Sequence, residues 1–116
     1  MKRGNVILLD FPFQDNKGSK IRPALVVQND HDNQRLANTI VAMITGNLQY
    51  AHEPANLLID PKTKDGAASG LHGPSVVKCG NLFTVPQTKI LHVIGRISRQ
   101  TTLRLNRCLK AALGIP

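Results

Sequence analysis

The sequence predicts a mainly β (α+β) fold, in which a small, partly closed antiparallel β-barrel is followed by one C-terminal α-helix. Short apolar runs are separated by turn-forming segments, and seven prolines and nine glycines are spread along the 116 residues, as in small β-rich folds. Helical spacing of apolar residues occurs only near the C-terminus, and strands do not alternate with helices as they do in α/β sheets. A chain of this length buries roughly two-thirds of its unfolded surface, so we expect residues 1–116 to form one domain.

Seven segments are predicted as strands because they are apolar and bounded by turn residues: 5–9, 24–28, 40–44, 55–59, 75–79, 82–85 and 90–94. Pro12 ends the first strand, since proline cannot continue a hydrogen-bonded ladder. The run 24–27 (Ala-Leu-Val-Val) is continuously apolar, which predicts a strand covered on both faces. Segments 29–38, 46–54 and 62–74 are predicted as connections, and the polar segment 14–20 as a mobile one.

The last element is predicted as an amphipathic helix that packs on the core. Ser98 is a suitable N-cap, and Gly114 marks the stop. Between them, apolar side chains recur at helical spacing at Leu105, Cys108, Leu109, Ala112 and Leu113. The opposite face of this helix is basic, and its charges are interpreted as exposed to solvent.

Charge is distributed unevenly along the chain. The formal net charge is +8, and all seven carboxylates lie within the first 65 residues, whereas the rest carries seven Lys and Arg. A surface of one sign favours a polyanionic partner, either a nucleic acid or an acidic protein. Aromatic residues are only 3% of the chain, so contacts with nucleic acid are expected to use phosphates and hydrogen bonds rather than a broad stacking platform.

Several classes of site are disfavoured by the sequence. The two cysteines, Cys79 and Cys108, lack metal-ligand spacing and are interpreted as buried, reduced thiols. The four histidines show no metal-ligand spacing, and 66–73 lacks the lysine of a phosphate-binding loop. We therefore expect neither a metal nor a cofactor. The apolar run near the N-terminus is too short for a signal peptide or membrane span, so a cytoplasmic location with no membrane association is expected.

The candidate active site combines an arginine with a hydroxyl. Pro23 favours an extended backbone at Arg22, and a rigid guanidinium at a strand end suits phosphate binding. If Gln28 lies opposite Thr39 in an antiparallel pair, Arg22 lies opposite Thr45, and opposed side chains share one face of a sheet. The alternative is purely structural, with Arg22 beside a loop and Thr45 ending a strand. The segment His52–Glu53 follows closely and is a weaker acid–base candidate.

These groups suit phosphodiester chemistry on RNA. The substrate's own 2′-hydroxyl can attack the adjacent phosphorus, so no nucleophile from the protein is needed. The protein must stabilise charge on the phosphoryl oxygens, for which donors such as Arg22 and Thr45 are appropriate. It must also assist proton transfer to the departing 5′-oxygen.

Three motifs follow one another along the chain at 2–6 (Lys-Arg-Gly-Asn-Val), 22–30 (Arg-Pro-Ala-Leu-Val-Val-Gln-Asn-Asp) and 42–45 (Ala-Met-Ile-Thr). They resemble the successive motifs of the MazF/PemK toxins, the endoribonuclease (mRNA interferase) components of type II toxin–antitoxin systems. Segments 75–79 and 82–90 resemble later strands of the family, and the terminal helix matches in position.

The resemblance implies an SH3-like barrel that forms a homodimer and is neutralised by an acidic antitoxin protein. It implies metal-independent cleavage of single-stranded RNA, leaving a 2′,3′-cyclic phosphate and a 5′-hydroxyl. By the same resemblance, Arg22 would stabilise transition-state charge and transfer protons, and Thr45 would position the phosphate. Ser19, Lys20 and Lys78 are the residues expected to bind substrate. Some family members have a histidine where this chain has Ile21, so the general base is not assigned.

Two other classes of function remain open on the sequence alone. A related toxin family shares this fold and poisons DNA gyrase without catalysis. An SH3-like module that binds RNA without turnover is the third possibility.

Overall fold

A computed structural model describes residues 1–12 and 19–116. The described elements are β1 (Asn5–Pro12), β2 (Ser19–Val26), α1 (Asp30–Arg35), β3 (Asn38–Thr45), β4 (Asn56–Ile59), β5 (Ser75–Pro86), β6 (Ile90–Arg96) and α2 (Arg99–Leu113). The strands form one antiparallel sheet in the order β4-β5-β3-β2-β1-β6. Because β4 and β6 are its edges, the barrel is only partly closed, and the predicted mainly β fold with a C-terminal helix is confirmed. The segment predicted to be mobile lies mostly outside the described residues.

Strand β2 is buried on both faces, as its apolar run predicts. Leu25 belongs to one hydrophobic cluster, together with residues of β4, β5 and α2. Its neighbours Ala24 and Val26 belong to a second cluster with residues of β1 and β3. All three side chains are fully buried. The sheet therefore separates two cores, and α2 covers only the first.

The register assumed between the second and third strands is confirmed where the two strands pair. Ala24 lies opposite Met43, Leu25 opposite Ala42, and Val26 opposite Val41. Each pair of residue numbers sums to the 67 expected from the sequence. Continuing this register past the end of the ladder puts Arg22 level with Thr45.

A short helix replaces the polar connection that was predicted for 29–38. The Asn29 side chain caps α1 by accepting a 2.8 Å hydrogen bond from the Asp32 backbone N–H. The buried amide of Asn33 then accepts hydrogen bonds from the Gln28 amide (3.0 Å) and the Thr39 hydroxyl (2.6 Å). The prediction missed α1 because polar contacts hold this six-residue helix, so it has no apolar periodicity to detect.

Strand β5 is continuous, although the sequence predicted two strands there. Along β3, the partner of Ala42 is Leu82 but the partner of the next residue, Met43, is Lys78. Residues 79–81 therefore form a β-bulge, where Gly80 and Asn81 interrupt the apolar alternation. Lys78 and Asn81, at this bulge, both line the candidate site.

The C-terminal helix begins and ends where predicted. The Ser98 hydroxyl accepts the Thr101 backbone N–H at 3.0 Å, and Gly114 ends the helix with φ of 68°. Leu105 and Cys108 are buried against the sheet, but Leu113 is 57% exposed. Eight residues at about 100° each place Leu113 about 80° around the helix axis from Leu105, which takes it off the packed face. Within the described residues, no helix is long and apolar enough to cross a membrane.

The two cysteines are free and buried, as predicted. Burial, with a smaller effect from the neighbouring Cys108 thiol, raises the pKa of Cys79 from 9.0 to about 12. Burial also raises the pKa of Cys108, whose Sγ donates to the Asn56 carbonyl oxygen at 3.3 Å. Both side chains therefore remain neutral thiols at neutral pH.

These shifts predict a loss of stability in alkali. The pKa of Cys79 is higher in the folded state than in the unfolded state, so the protonated thiol contributes stability. This contribution is fully present below about pH 9, and it is lost as pH rises through the folded pKa of about 12. We expect urea unfolding to show a free energy that falls between these limits more steeply in the wild type than in Cys79→Ala. The excess slope should approach about 1.4 kcal/mol per pH unit. Equal slopes in the two proteins would contradict the assigned shift.

Candidate active site

A cleft of about 300 Å³ lies where β2, β3 and β5 meet the segment 46–56. Of the residues predicted from sequence, it brings together Arg22, Thr45 and Lys78. Each comes from a different strand, so the site depends on the sheet order rather than on one local motif.

Strand alternation explains why these side chains meet. Arg22 follows the same face of β2 as Ala24 and Val26, and Thr45 follows the same face of β3 as Met43. That face covers the second hydrophobic cluster, against which Met43 packs. The cleft is therefore the polar end of an otherwise apolar core, and Arg22 is half-buried at its edge.

The Thr45 hydroxyl is oriented by the backbone that follows it. Its Oγ1 accepts a hydrogen bond from the Asn47 backbone N–H at 3.2 Å. Since that bond uses a lone pair on oxygen, the hydroxyl proton remains available for a second partner. Thr45 is thus set up as a donor toward an oxygen bound in the cleft.

The described residues that line the cleft carry positive charge. Arg22 and Lys78 contribute two cations, and no described lining residue is a carboxylate. A bound anion would meet these donors, and no carboxylate among the described lining residues would oppose it. Within the described residues, no cluster of three His, Cys, Asp or Glu side chains is arranged to hold a metal ion.

The other predicted residues are not assembled here. Lys20 is exposed on β2 opposite Phe11, and it does not line the cleft. Ser19 begins β2 opposite Pro12, but its side chain lies outside the described part of the structure. His52 and Glu53 are exposed, and His52 borders a different pocket, beside α2. The weak acid–base hypothesis for this pair therefore has no support from the cleft geometry.

Aromatic side chains line the cleft, which the sequence did not predict. The chain has three Phe and one Tyr, and Phe11, Tyr50 and Phe83 all border this one site. The rings of Phe11 and Phe83 meet edge to face, with centroids 4.9 Å apart. Low aromatic content argued against stacking across a broad surface, but composition carries no information about clustering.

Three asparagines complete the polar lining, and sequence reasoning also missed them: Asn47, Asn56 and Asn81. The Asn47 Oδ1 accepts the Gln49 backbone N–H at 3.0 Å, and the Asn56 Nδ2 donates to the Tyr50 carbonyl at 2.8 Å. Each bond fixes an amide while leaving its other end available. Amides held in this way are suited to hydrogen-bonding the edges of bases.

One protein family matches nearly the whole chain. Residues 2–113 match the family described as PemK-like, MazF-like toxin of type II toxin-antitoxin system. The chain belongs to this family. Endoribonuclease MazF of Staphylococcus saprophyticus is 29% identical, over 99% of this chain and 92% of that protein. Endoribonuclease EndoA of Bacillus subtilis is 28% identical, over 99% of this chain and 96% of that protein.

Solved structures of MazF-like proteins share the fold. One, an endoribonuclease in complex with its cognate antitoxin from Mycobacterial species, has a TM-score of 0.78 at 23% identity and covers 100% of this chain and 97% of its own. A MazE–MazF structure from Deinococcus radiodurans has a TM-score of 0.77 at 17% identity and covers 100% and 98%. These similarities confirm the SH3-like, partly closed barrel with its C-terminal helix.

Proposed function

We propose that this MazF-like chain is the toxin of a type II toxin–antitoxin system and an endoribonuclease that cleaves single-stranded RNA at selected sequences. The observation that carries the proposal is the cleft itself. It joins Arg22, Lys78 and the Thr45 hydroxyl without a described carboxylate, in a chain whose curated relatives include endoribonucleases. Such a site is suited to binding a phosphodiester and stabilising added negative charge.

The proposed reaction is attack by the 2′-hydroxyl of the RNA on the adjacent phosphorus. The 2′-oxygen loses its proton to water and forms a bond to phosphorus, while the bond from phosphorus to the 5′-oxygen breaks and that oxygen takes up a proton from water. The products are a 2′,3′-cyclic phosphate and a 5′-hydroxyl. Arg22 and Lys78 stabilise the charge on the phosphoryl oxygens, and Thr45 donates a hydrogen bond to one of them. The proposed reaction uses the RNA, these three side chains and water, without a metal.

Single-stranded RNA fits the lining of the cleft better than a duplex does. Tyr50 and Phe83 are 53% and 38% exposed, and they offer ring faces on which unpaired bases can stack. The amides of Asn47, Asn56 and Asn81 border the same space. In a duplex, the base faces are stacked and the pairing edges are occupied, so the rings would have no free base to stack on and the amides could reach only the groove edges.

The proposal includes an acidic antitoxin, a homodimer and a cytoplasmic location. The net charge of +8 favours an acidic protein partner. A mycobacterial endoribonuclease of the same fold has been solved with its cognate antitoxin, which supports this class of partner here.

The test is incubation of the purified protein with single-stranded RNAs of varied sequence in EDTA. We expect cleavage at a limited set of sites, with cyclic phosphate and 5′-hydroxyl ends, that is blocked by 2′-O-methylation of the nucleotide before the break. Intact RNA throughout would reject the nuclease function. An effect confined to gyrase supercoiling assays would favour a gyrase poison, and RNA binding without turnover would favour a binding module.

Replacing Thr45 with valine tests the hydroxyl with little change of shape. We expect a slower cleavage step, by about tenfold to a hundredfold, because one donor to the charged phosphoryl oxygen is lost. Single-turnover rates at saturating enzyme measure this step, and a thermal melt checks the fold. Thr102→Val, on the helix away from the cleft, is the matched control. An unchanged rate in Thr45→Val would remove Thr45 from the reaction.

A further inference from the structure

A second pocket lies directly beyond one wall of the cleft, between the segment 51–58 and helix α2. It encloses about 320 Å³, and its polar lining comes from His52, Asn56, Arg104 and Arg107. We call it the α2 pocket. Asn56 also lines the cleft, so one residue borders both spaces. Its side chain is fixed by a 2.8 Å bond to the Tyr50 carbonyl, and its own carbonyl accepts a hydrogen bond from Cys108 on α2.

The α2 pocket carries basic groups without an acidic partner. Arg104, Arg107 and His52 are exposed, and no carboxylate is among the described residues that line the pocket. Glu53 is next to His52 in sequence but does not line the pocket, and the single ion pair in the described residues is Arg35 with Asp32. The described structure therefore leaves this positive charge available to an anion.

One guanidinium is held in position. The Arg104 Nη2 donates a 2.7 Å hydrogen bond to the Leu58 carbonyl, on the edge strand β4. Arg104 also borders a neighbouring pocket containing Asp60 and Asp65, so part of its charge is directed elsewhere. Arg107, one turn further along α2, borders only the α2 pocket among the described pockets. Arg107 is therefore the residue most directly available to a ligand in the α2 pocket.

We propose that the α2 pocket is a second phosphate-binding subsite, which holds the RNA backbone on the side of the cleft that Asn56 borders. The inference rests on the proposed function, since it extends the same substrate. RNA is favoured over an acidic peptide because the pocket shares Asn56 with a cleft lined by aromatic rings and amides. A strand whose bases occupy the cleft must leave it across one of its walls, and the wall at Asn56 leads to the guanidinium groups of Arg104 and Arg107.

The experiment compares binding of single-stranded 2′-O-methyl RNAs with randomised sequence and increasing length. Methylation removes the attacking hydroxyl, so binding is measured independently of cleavage. We expect wild-type affinity to rise with length once the RNA is long enough to extend beyond the cleft, and we expect Arg107→Gln to lose at least about threefold in affinity for these longer RNAs. A plot of log affinity against log salt should be less steep for Arg107→Gln than for the wild type. The slope should decrease in magnitude by about 0.7, the value for one lost phosphate contact on a single strand. Lys110→Gln, also exposed on α2 but outside the pocket, is the matched control.

The outcomes separate this inference from the nuclease function. Equal length and salt dependence in Arg107→Gln and Lys110→Gln would overturn the subsite, even if the wild type cleaves RNA. Length-dependent binding that is lost in Arg107→Gln would support it, even if no cleavage occurs. RNA binding that is unchanged in Arg107→Gln, with weaker binding of an acidic peptide, would reassign the pocket to a protein partner and overturn the proposal. A wild type that binds no RNA would reject both.

Discussion

Replacing Arg22 with alanine is expected to reduce RNA cleavage by at least about a hundredfold while leaving the protein folded. Removal of one preorganised donor to a charged transition state commonly costs a factor of this size. Arg22 is half-buried and lies at the polar end of a core, where its charge is less screened than on an open surface. Single-turnover rates on one RNA in EDTA, together with thermal unfolding, measure the effect.

Two further variants test whether cleavage depends on the position and shape of the Arg22 side chain or only on the positive charge of the protein. Arg99→Ala removes an equal charge from the exposed first turn of α2, which lines neither the cleft nor the α2 pocket, and it should cleave at close to the wild-type rate. Arg22→Lys keeps the charge but not the planar fork of donors, so only partial activity is expected. A well-folded Arg22→Ala protein that cleaves within threefold of wild type would show that Arg22 does not stabilise the reaction.

The parts of the fold that were predictable are those dictated by local burial. The run 24–27 predicted a strand with two covered faces, and Leu25 and Val26 do lie in different clusters. Helix α1 and the bulge in β5 were not predictable in the same way. The helix depends on the buried amide of Asn33, and the bulge depends on which residues of β3 pair with Lys78 and Leu82. The contacts of Asn33 are local but polar, and the pairs between β3 and β5 join distant segments, so neither leaves an apolar periodicity in the sequence.

The candidate site was predictable where it follows from strand alternation alone. One register placed Arg22 near Thr45, because opposed residues share a face. The aromatic lining comes from three separate places, with Phe11 on β1, Tyr50 between β3 and β4, and Phe83 on β5, and no spacing relates them. His52 follows Thr45 closely in sequence but borders the α2 pocket, since the chain turns at the buried residue Ala51. Proximity in sequence was therefore a poor guide wherever a loop intervenes.

Replacing Leu105 with alanine is expected to destabilise the protein by about 3 kcal/mol, because the side chain is fully buried in the cluster that joins α2 to the sheet. For a chain of this size, that corresponds to a fall in Tm of roughly 10–20 °C. Urea unfolding followed by circular dichroism measures the free energy of unfolding. The loss combines the removed apolar contact with the cavity left beneath the helix, so the exact value depends on how far α2 can relax.

Leu103→Ala provides the matched control, since it makes the same substitution two residues away on the same helix. Leu103 is 49% exposed, so we expect it to cost less than about 1 kcal/mol. The change in helix propensity is the same in both variants, and the difference between them therefore isolates burial. Equal losses at every protein concentration would contradict the packing of α2 described above. A loss at Leu103 that grows as the protein is concentrated would instead place that side chain in a contact between protomers, because only an association equilibrium makes stability depend on concentration.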